Sequence, residues 1–426
     1  LPNLRREIEQ GLRDGSIQCV VSTNALELGI DIGQLSASIM AGYPGTIAST
    51  WQQAGRSGRR ESVSVSVLIA SSAPLDQYVI RHHDYFFDSP SENGIVDPDN
   101  LIILTEHLKC AAFELPFRDG ERFGTDATEQ LLQYLEEHRV LHRAGDGQYH
   151  WTSESYPAEE VSLRSAAPDN VVIIDTTRGE RVIGEVDLFS APVMVHDEAI
   201  YLHEGEPFHV DKLDWDRRQA LVRRVQSDYY TDAQTKTDIR VLDEFEESPV
   251  SGGKKGHGEV SVTCVATLYK KIKFGTHENV GSGRIHLPEM TMHTTAYWWE
   301  LDERVLETLK LTESSLGDGL KAVANLLANV APIWVMTDPN DLRTIPMRRS
   351  PFADKPTVYI YEHIPGGVGY GRKLYQNHGL ILSAARDLIR SCHCASGCPS
   401  CVGPMLEVGE RGKESALRLL EWGLAG

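Results

Sequence analysis

The sequence has little of what a membrane-spanning or secreted protein needs. No run of ~18 consecutive apolar residues occurs in its 426 positions, which excludes a transmembrane helix. No basic stretch followed by an apolar core opens the chain, so no secretory signal is expected. Cysteine is scarce, with seven in all, and Cys19, Cys110 and Cys264 stand alone, which excludes a disulfide scaffold. Positive charge is in deficit: 42 Lys and Arg face 61 Asp and Glu, a formal net charge of -19. That deficit argues weakly against nucleic-acid binding over the whole surface. A G-x-x-x-x-G-K-[ST] phosphate loop is missing, since Gly253-Lys254-Lys255 has no following Ser or Thr. The chain does not begin with Met, and Leu1-Pro2-Asn3-Leu4 reads like the interior of something longer, so a fragment is expected.

What remains is ordinary globular material, 41% hydrophobic and 24% charged, long enough for two to four domains. The charge is uneven. Residues 1–100 carry -5 and residues 337–426 carry +2, which leaves -16 in residues 101–336. The acidity therefore belongs to the middle of the chain.

The expected fold class is α/β plus α+β in several domains. Residues 1–88 read as a partial α/β lobe: a helix over Asn3–Leu12, a short strand at Cys19-Val20-Val21, and strands at Ser38–Ala41 and Val63–Ala70. The polar stretch Thr50–Gly58 reads as a loop beside a helix. Residues 89–165 hold helical patterns over Leu101–Phe113 and Ala127–Glu137. A hairpin signal at Ala144-Gly145-Asp146-Gly147 follows, as in a winged helix. Residues 166–250 are strand-rich and barrel-like, with strands expected at Val171–Ile174, Val193–Val195 and Ala199–Leu202. Asp243–Gly258 reads as a loop or linker. Residues 251–426 resume with a strand over 260–274 and helices over Leu320–Leu327 and Leu380–Arg390.

Three motifs carry chemistry. In Gln52-Gln53-Ala54-Gly55-Arg56-Ser57-Gly58-Arg59, two arginines three apart can project from one face of a loop–helix junction. Their planar donor forks suit phosphate oxygens. An arginine finger of this kind is worth roughly 10³ to 10⁵ in phosphoryl-transfer rate. The bland alternative is a solvated basic loop. Near the C-terminus, Cys392, Cys394, Cys398 and Cys401 lie within ten residues, with turn-forming Gly397 and Pro399 among them. Four thiolates close a tetrahedral Zn²⁺ site and leave no open position, so the metal would be structural. An iron–sulfur cluster or disulfides are the alternatives. Between these motifs, Ile364-Pro365-Gly366-Gly367-Val368-Gly369-Tyr370-Gly371 suits a backbone that turns sharply or approaches a ligand.

Residues 22–32, Ser22-Thr23-Asn24-Ala25-Leu26-Glu27-Leu28-Gly29-Ile30-Asp31-Ile32, resemble motif V of the superfamily 2 helicases. Residues 52–59 resemble the Q-x-x-G-R-x-G-R of their motif VI. The glycine turn, the following helix and C-x-C-x₃-C-P-x-C resemble the zinc-binding C-terminal domain of mitomycin-repair-type helicases. The resemblance extends over essentially the whole chain. It implies arginine fingers at Arg56 and Arg59, nucleotide or ribose contacts at Gln52, Gly29 and Asp31, and a DNA-phosphate contact at Thr23. It implies ATP and Mg²⁺ in an intact enzyme whose Walker lobe lies outside this chain, so the chain alone should not hydrolyse ATP. Asp197-Glu198-Ala199-Ile200 resembles the Mg²⁺-binding D-E-A-x, but it follows motif VI instead of preceding it and reads as a decoy.

The implied function is a 3′-to-5′ DNA helicase acting in repair. It would be a monomer that binds duplex and 3′-tailed single strands, works beside a partner nuclease, and sits with the nucleoid in a bacterial cytoplasm. A non-catalytic nucleic-acid-binding fragment and a phage-defence motor are the rivals. For Tyr297-Trp298-Trp299, core packing is preferred over stacking on bases. Arg348-Arg349 is left between a nucleic-acid backbone contact and a solvated pair.

Overall fold

The computed structural model describes residues 2–27, 35–58, 63–92, 94–159, 161 and 170–425. The first lobe holds α1 (Pro2–Asp14), β1 (Ala37–Ala41), α2 (Ile47–Ala54), β2 (Val65–Ile69), α3 (Pro74–Arg81) and α4 (His83–Phe87). β1 and β2 pair in parallel from Ala37 opposite Val65 to Ala41 opposite Ile69. Cys19–Val21 is not a strand: the segment is irregular and Val21 is almost fully exposed. Its apolar residues have no neighbouring strand to pair with among the described residues. Most of the polar run from Thr50 is helical, as part of α2, because Thr46 caps it and Ile47 and Thr50 face inward.

The second unit contains α5 (Leu101–Glu114), β3 (Phe117–Arg118), α6 (Thr128–Glu137), β4 (Leu141–Arg143) and β5 (Gln148–Trp151). The strands form a small antiparallel sheet in the order β3-β5-β4. Leu104, Leu108 and Ala112 recur at helical spacing and pack on Leu132, Leu135, Leu141 and Tyr149.

A five-stranded sheet follows: β6 (Asn170–Asp175), β7 (Arg181–Asp187), the short α7 (Ala191–Met194), β8 (Ile200–His203), β9 (Glu206–Asp214) and β10 (Gln219–Arg224), ordered β7-β6-β10-β9-β8. Val193 and Met194 are thus helical, not a strand, since Pro192 sits in the first turn and sets a helical φ. The Asp197-Glu198 pair is a tight turn. Glu198 has φ +67° and Asp197 Oδ1 accepts from Leu213 N at 2.6 Å, so neither is arranged as a Mg²⁺ ligand pair.

The largest body begins with β11 (Tyr229–Val250) and β12 (Gly253–Lys273), two long strands paired along their length with three register shifts. The linker expected at 243–258 is the tip of this hairpin. Ser251 and Gly252 make the turn, and Ser251 Oγ donates to Trp422 O at 2.9 Å. A domain division at residue 250 would separate directly hydrogen-bonded neighbours. β13 (Asn279–Arg284) adds to β12. β14 (Met290–Leu301) runs beside it, followed by α8 (Val305–Thr308) and α9 (Glu313–Val335). β15 (Leu342–Met347) and β16 (Thr357–Glu362) complete the order β11-β12-β14-β16-β15. Last come α10 (Tyr370–Gln376), α11 (His378–Ser391), α12 (Met405–Val408) and α13 (Gly412–Gly423).

α9 is the central post. Thr312 and Ser315 cap it reciprocally, and Leu316, Leu320, Val323, Leu327 and Val330 repeat on its buried side. Gly319 lets α13 approach closely: a Cβ there would lie 2.8 Å from Ser415 Cβ. From Ala296 to Leu301, β14 is buried on both faces. Tyr297, Trp299 and Leu301 point to the helices, while Ala296 and Trp298 join Ile239, Val260 and Tyr359 on the other side. The aromatic triplet is therefore core. Arg349 is paired with Asp354.

Candidate metal centre and motif helix

α2 is fixed at its start by two acceptors. Thr46 Oγ1 takes Ser49 N at 3.0 Å, and the Glu92 carboxylate takes Ile47 N at 2.5 Å and Ala48 N at 2.9 Å. Both satisfy N–H groups that have no intrahelical partner. Glu27, from the motif V segment, accepts from Ser49 Oγ at 2.7 Å and Gln53 Nε2 at 3.0 Å. The two motif segments are thus bolted together by one carboxylate. Gln53 takes the inward bond, which leaves Gln52 one position round the helix.

At the far end, Arg56 Nε donates to Gln52 O at 3.1 Å, a cation on the helix C-terminus. Gly58 has φ +111° and donates its N–H to Leu35 O at 2.9 Å. Thr23 is exposed, in a loop ahead of a short turn of helix. Trp51 packs on Phe86, with rings 5.1 Å apart and nearly parallel. Gly29, Asp31 and Arg59 lie outside the described residues.

The four cysteines converge between the end of α11 and the start of α12. Their sulfur atoms all lie within 4.8 Å of one another, with near pairs at 3.5 and 3.6 Å. A tetrahedron with ~2.3 Å arms has edges of about 3.8 Å, so the four fit one Zn²⁺. The separations are far from the ~2.0 Å of a disulfide. A four-iron cluster gives each thiolate its own iron and needs a wider ring of sulfurs. Cys401 is buried, and burial pushes its thiol up to about 12. Burial also pushes Cys394 up, but hydrogen bonds from Cys401, Cys392 and Lys413 outweigh it and hold that thiol at about 7. His393 is exposed and takes no part in the ring of sulfurs.

Comparison with known proteins matches this geometry. Residues 323–402 match the MrfA Zn-binding domain, residues 96–166 the winged helix domain of the ATP-dependent helicase HRQ1, and residues 2–61 the helicase conserved C-terminal domain. Over 99% of its length the chain is 48% identical to the Bacillus subtilis protein named uncharacterized ATP-dependent helicase YprA, covering 56% of it. The chain is similar, over 99% of its length, to MrfA-like superfamily 2 helicases. The DNA-bound crystal structure of the DUF1998 helicase MrfA superposes with TM-score 0.63 at 48% identity, over 99% of this chain and 56% of that one. MrfA bound to DNA and AMPPNP gives 0.61 at 46% identity. The Saccharomyces cerevisiae ATP-dependent helicase HRQ1 is 28% identical over 93% of this chain and 38% of its own. The chain thus spans just over half the length of the Bacillus protein and of MrfA. The four-cysteine centre is the structural Zn²⁺ site of the matched zinc-binding domain. No helix among the described residues is long and apolar enough to cross a membrane.

In this MrfA-like chain the glycine turn approaches another part of the protein. Asn100, at the entrance to α5, uses its whole carboxamide. Oδ1 accepts from Ile102 N and Ile103 N at 3.1 and 3.2 Å, and Nδ2 donates to Pro365 O and Gly367 O, both at 3.0 Å. A Cβ on Gly366 would fall 2.4 Å from Nδ2, and φ there is +77°. On the other side of the turn, buried Glu362 accepts from Val368 N at 2.6 Å, Gly371 N at 2.9 Å and the Thr295 hydroxyl. Burial pushes the Glu362 pKa up against these bonds. Sequence reasoning missed Glu27, Glu92, Asn100 and Lys413. Only Glu27 lay inside a motif already singled out.

Proposed function

We propose that this chain supplies the C-terminal half of an ATP-dependent 3′-to-5′ DNA helicase acting in DNA repair. In the intact protein, ATP and Mg²⁺ sit between two RecA-like lobes, and Arg56 and Arg59 reach across to the γ-phosphoryl group. Gln52, Gly29 and Asp31 attend the nucleotide, and Thr23 holds a phosphate of the tracked strand. The observation that carries this reading is the likeness, over 99% of the chain, to a helicase crystallised with both DNA and AMPPNP. The bolt from Glu27 to α2 supports it, because it makes the strand-contacting and nucleotide-contacting segments move as one body. Arg56 rests on Gln52 O and would swing outward when nucleotide arrives.

Residues 1–88 act as the partial RecA-like lobe and 89–165 as the winged helix. The barrel-like and zinc-binding regions are better divided near residue 227 than at 250. A monomeric state, a partner nuclease and a nucleoid-associated place in the cytoplasm complete the proposal.

The test is single-turnover ATP hydrolysis by the intact protein with DNA. Arg56→Ala and Arg59→Ala should each lower the rate by about 10³-fold or more with little loss of DNA binding. Unchanged rates would remove the finger role. The isolated chain should not hydrolyse ATP, since it has no phosphate loop.

A further inference from the structure

We propose that Lys413, on the first turn of α13, is the counter-charge of the zinc centre, and that α13 is a working part of that centre. Its ammonium group spends its donors there. Nζ lies 2.7 Å from Cys392 O, 2.6 Å from Cys394 O and 3.3 Å from Cys394 Sγ. A divalent ion held by four thiolates leaves two surplus negative charges in a partly buried place. The other cations nearby are committed to carboxylates: Arg390 to Glu421, and Arg411 and Arg418 to Glu414. Lys413 has no carboxylate partner among the described residues. The matched zinc-binding domain ends at residue 402, so this lysine lies beyond it.

The placement of Lys413 is built into the fold. Gly412, just before it, packs so closely that a Cβ would lie 2.9 Å from Val408 Cβ. Ala416, Leu419 and Leu420 seat α13 in the main core. The lysine stem is thereby aimed at the first cysteine pair. The cation does two things at once. It clamps the carbonyls of Cys392 and Cys394, which fixes the spacing of those two ligands. It also draws electron density from the Cys394 sulfur and offsets part of the surplus charge. Partners of this kind, behind the metal's own ligands, are worth ~10–100-fold in metal affinity.

The inference stands apart from the motor assignment and is tested on the zinc-loaded chain without nucleotide. Lys413→Met, Lys413→Gln and Lys413→Arg are compared with the wild type by competition with a coloured chelator. Removing the charge should weaken zinc binding about tenfold or more in the Met and Gln variants, and the Arg variant should recover most of it. With Co²⁺ in place of zinc, the thiolate-to-metal charge-transfer band should move to longer wavelength in Lys413→Met, because the Cys394 sulfur loses its donor. A merely structural lysine would not move that band. Wild-type affinity in the Gln variant, or an unshifted band in the Met variant, would overturn the proposal. If Lys413→Met does not fold, the Gln and Arg pair decides. A wild-type chain that takes up no zinc would overturn the metal assignment as well.

Discussion

Single side chains that serve two elements at once carry the sharpest expectations. Asn100→Ala removes the cap of α5 and also strands two carbonyls of the glycine turn. A lost cap costs about 1 kcal/mol, and unpaired buried acceptors about 1–3 kcal/mol more. Urea unfolding should therefore show a loss of about 2–4 kcal/mol, and a loss under 1 kcal/mol would mean that water replaces the amide. His378 sets a pH dependence. It lies buried with Nδ1 2.6 Å from the Tyr297 hydroxyl, and burial, with some help from Lys255, lowers its pKa to about 4. The unfolded chain takes up the proton near 6.5, before the folded one does. The neutral ring's contribution is therefore whole above about pH 6.5 and is lost progressively as pH falls towards 4. At ~1.4 kcal/mol per unit this amounts to about 3 kcal/mol. His378→Gln should flatten the stability profile between pH 6.5 and 4. An equally steep profile would assign the effect to other groups, His196 and His363 among them, whose pKa values burial also lowers.

At the scale of elements, what was legible in the sequence was local. The Leu104, Leu108, Ala112 spacing announced α5, and Asp146-Gly147 announced the β4–β5 hairpin. Four cysteines in ten residues announced the metal, because coordination is decided by near neighbours. The misread segments were those whose state depends on distant partners. Cys19–Val21 has strand composition but no strand beside it among the described residues. Asp243–Gly258 has loop composition, yet it is held as a hairpin tip by β14 and by Trp422. Glu92 and Lys413 gave no signal, since their meaning lies in groups 44 or 45 and 19 or 21 residues away. The same locality predicts how metal loss spreads. The cysteines pack against the core shared by α9, α11 and α13. Removing zinc should raise amide exchange over residues 388–424 first, while the β11–β12 hairpin stays protected. Uniform loosening of the whole chain, or none, would show that the centre does not brace these helices. Metal analysis of the same sample should find one zinc per chain and no iron.

For the molecule as a whole, the charge deficit and the long hairpin matter together. The surplus of acid lies in residues 101–336, while the zinc-bearing end is slightly basic, so the total charge does not report the field that DNA would meet. The hairpin decides which parts can stand alone. β11 supplies β12 with register partners from Tyr229 to Val250, and Ile239 from β11 enters the core against Val260, Val262 and Trp298. A chain cut at residue 250 strips β12 of that whole ladder, leaves a long open edge of unpaired N–H and C=O groups, and uncovers part of the Trp298 core. A chain that begins at residue 226 keeps the ladder, and what it loses are contacts with the preceding elements, such as Thr231 Oγ1 accepting from Ile200 N at 2.9 Å and the Asn100 bonds to the glycine turn. Residues 226–426 should therefore be soluble and unfold in one cooperative transition when zinc is supplied, whereas residues 251–426 should aggregate. A soluble, cooperatively folded 251–426 would show that the hairpin is an appendage, and would restore the domain division at its tip.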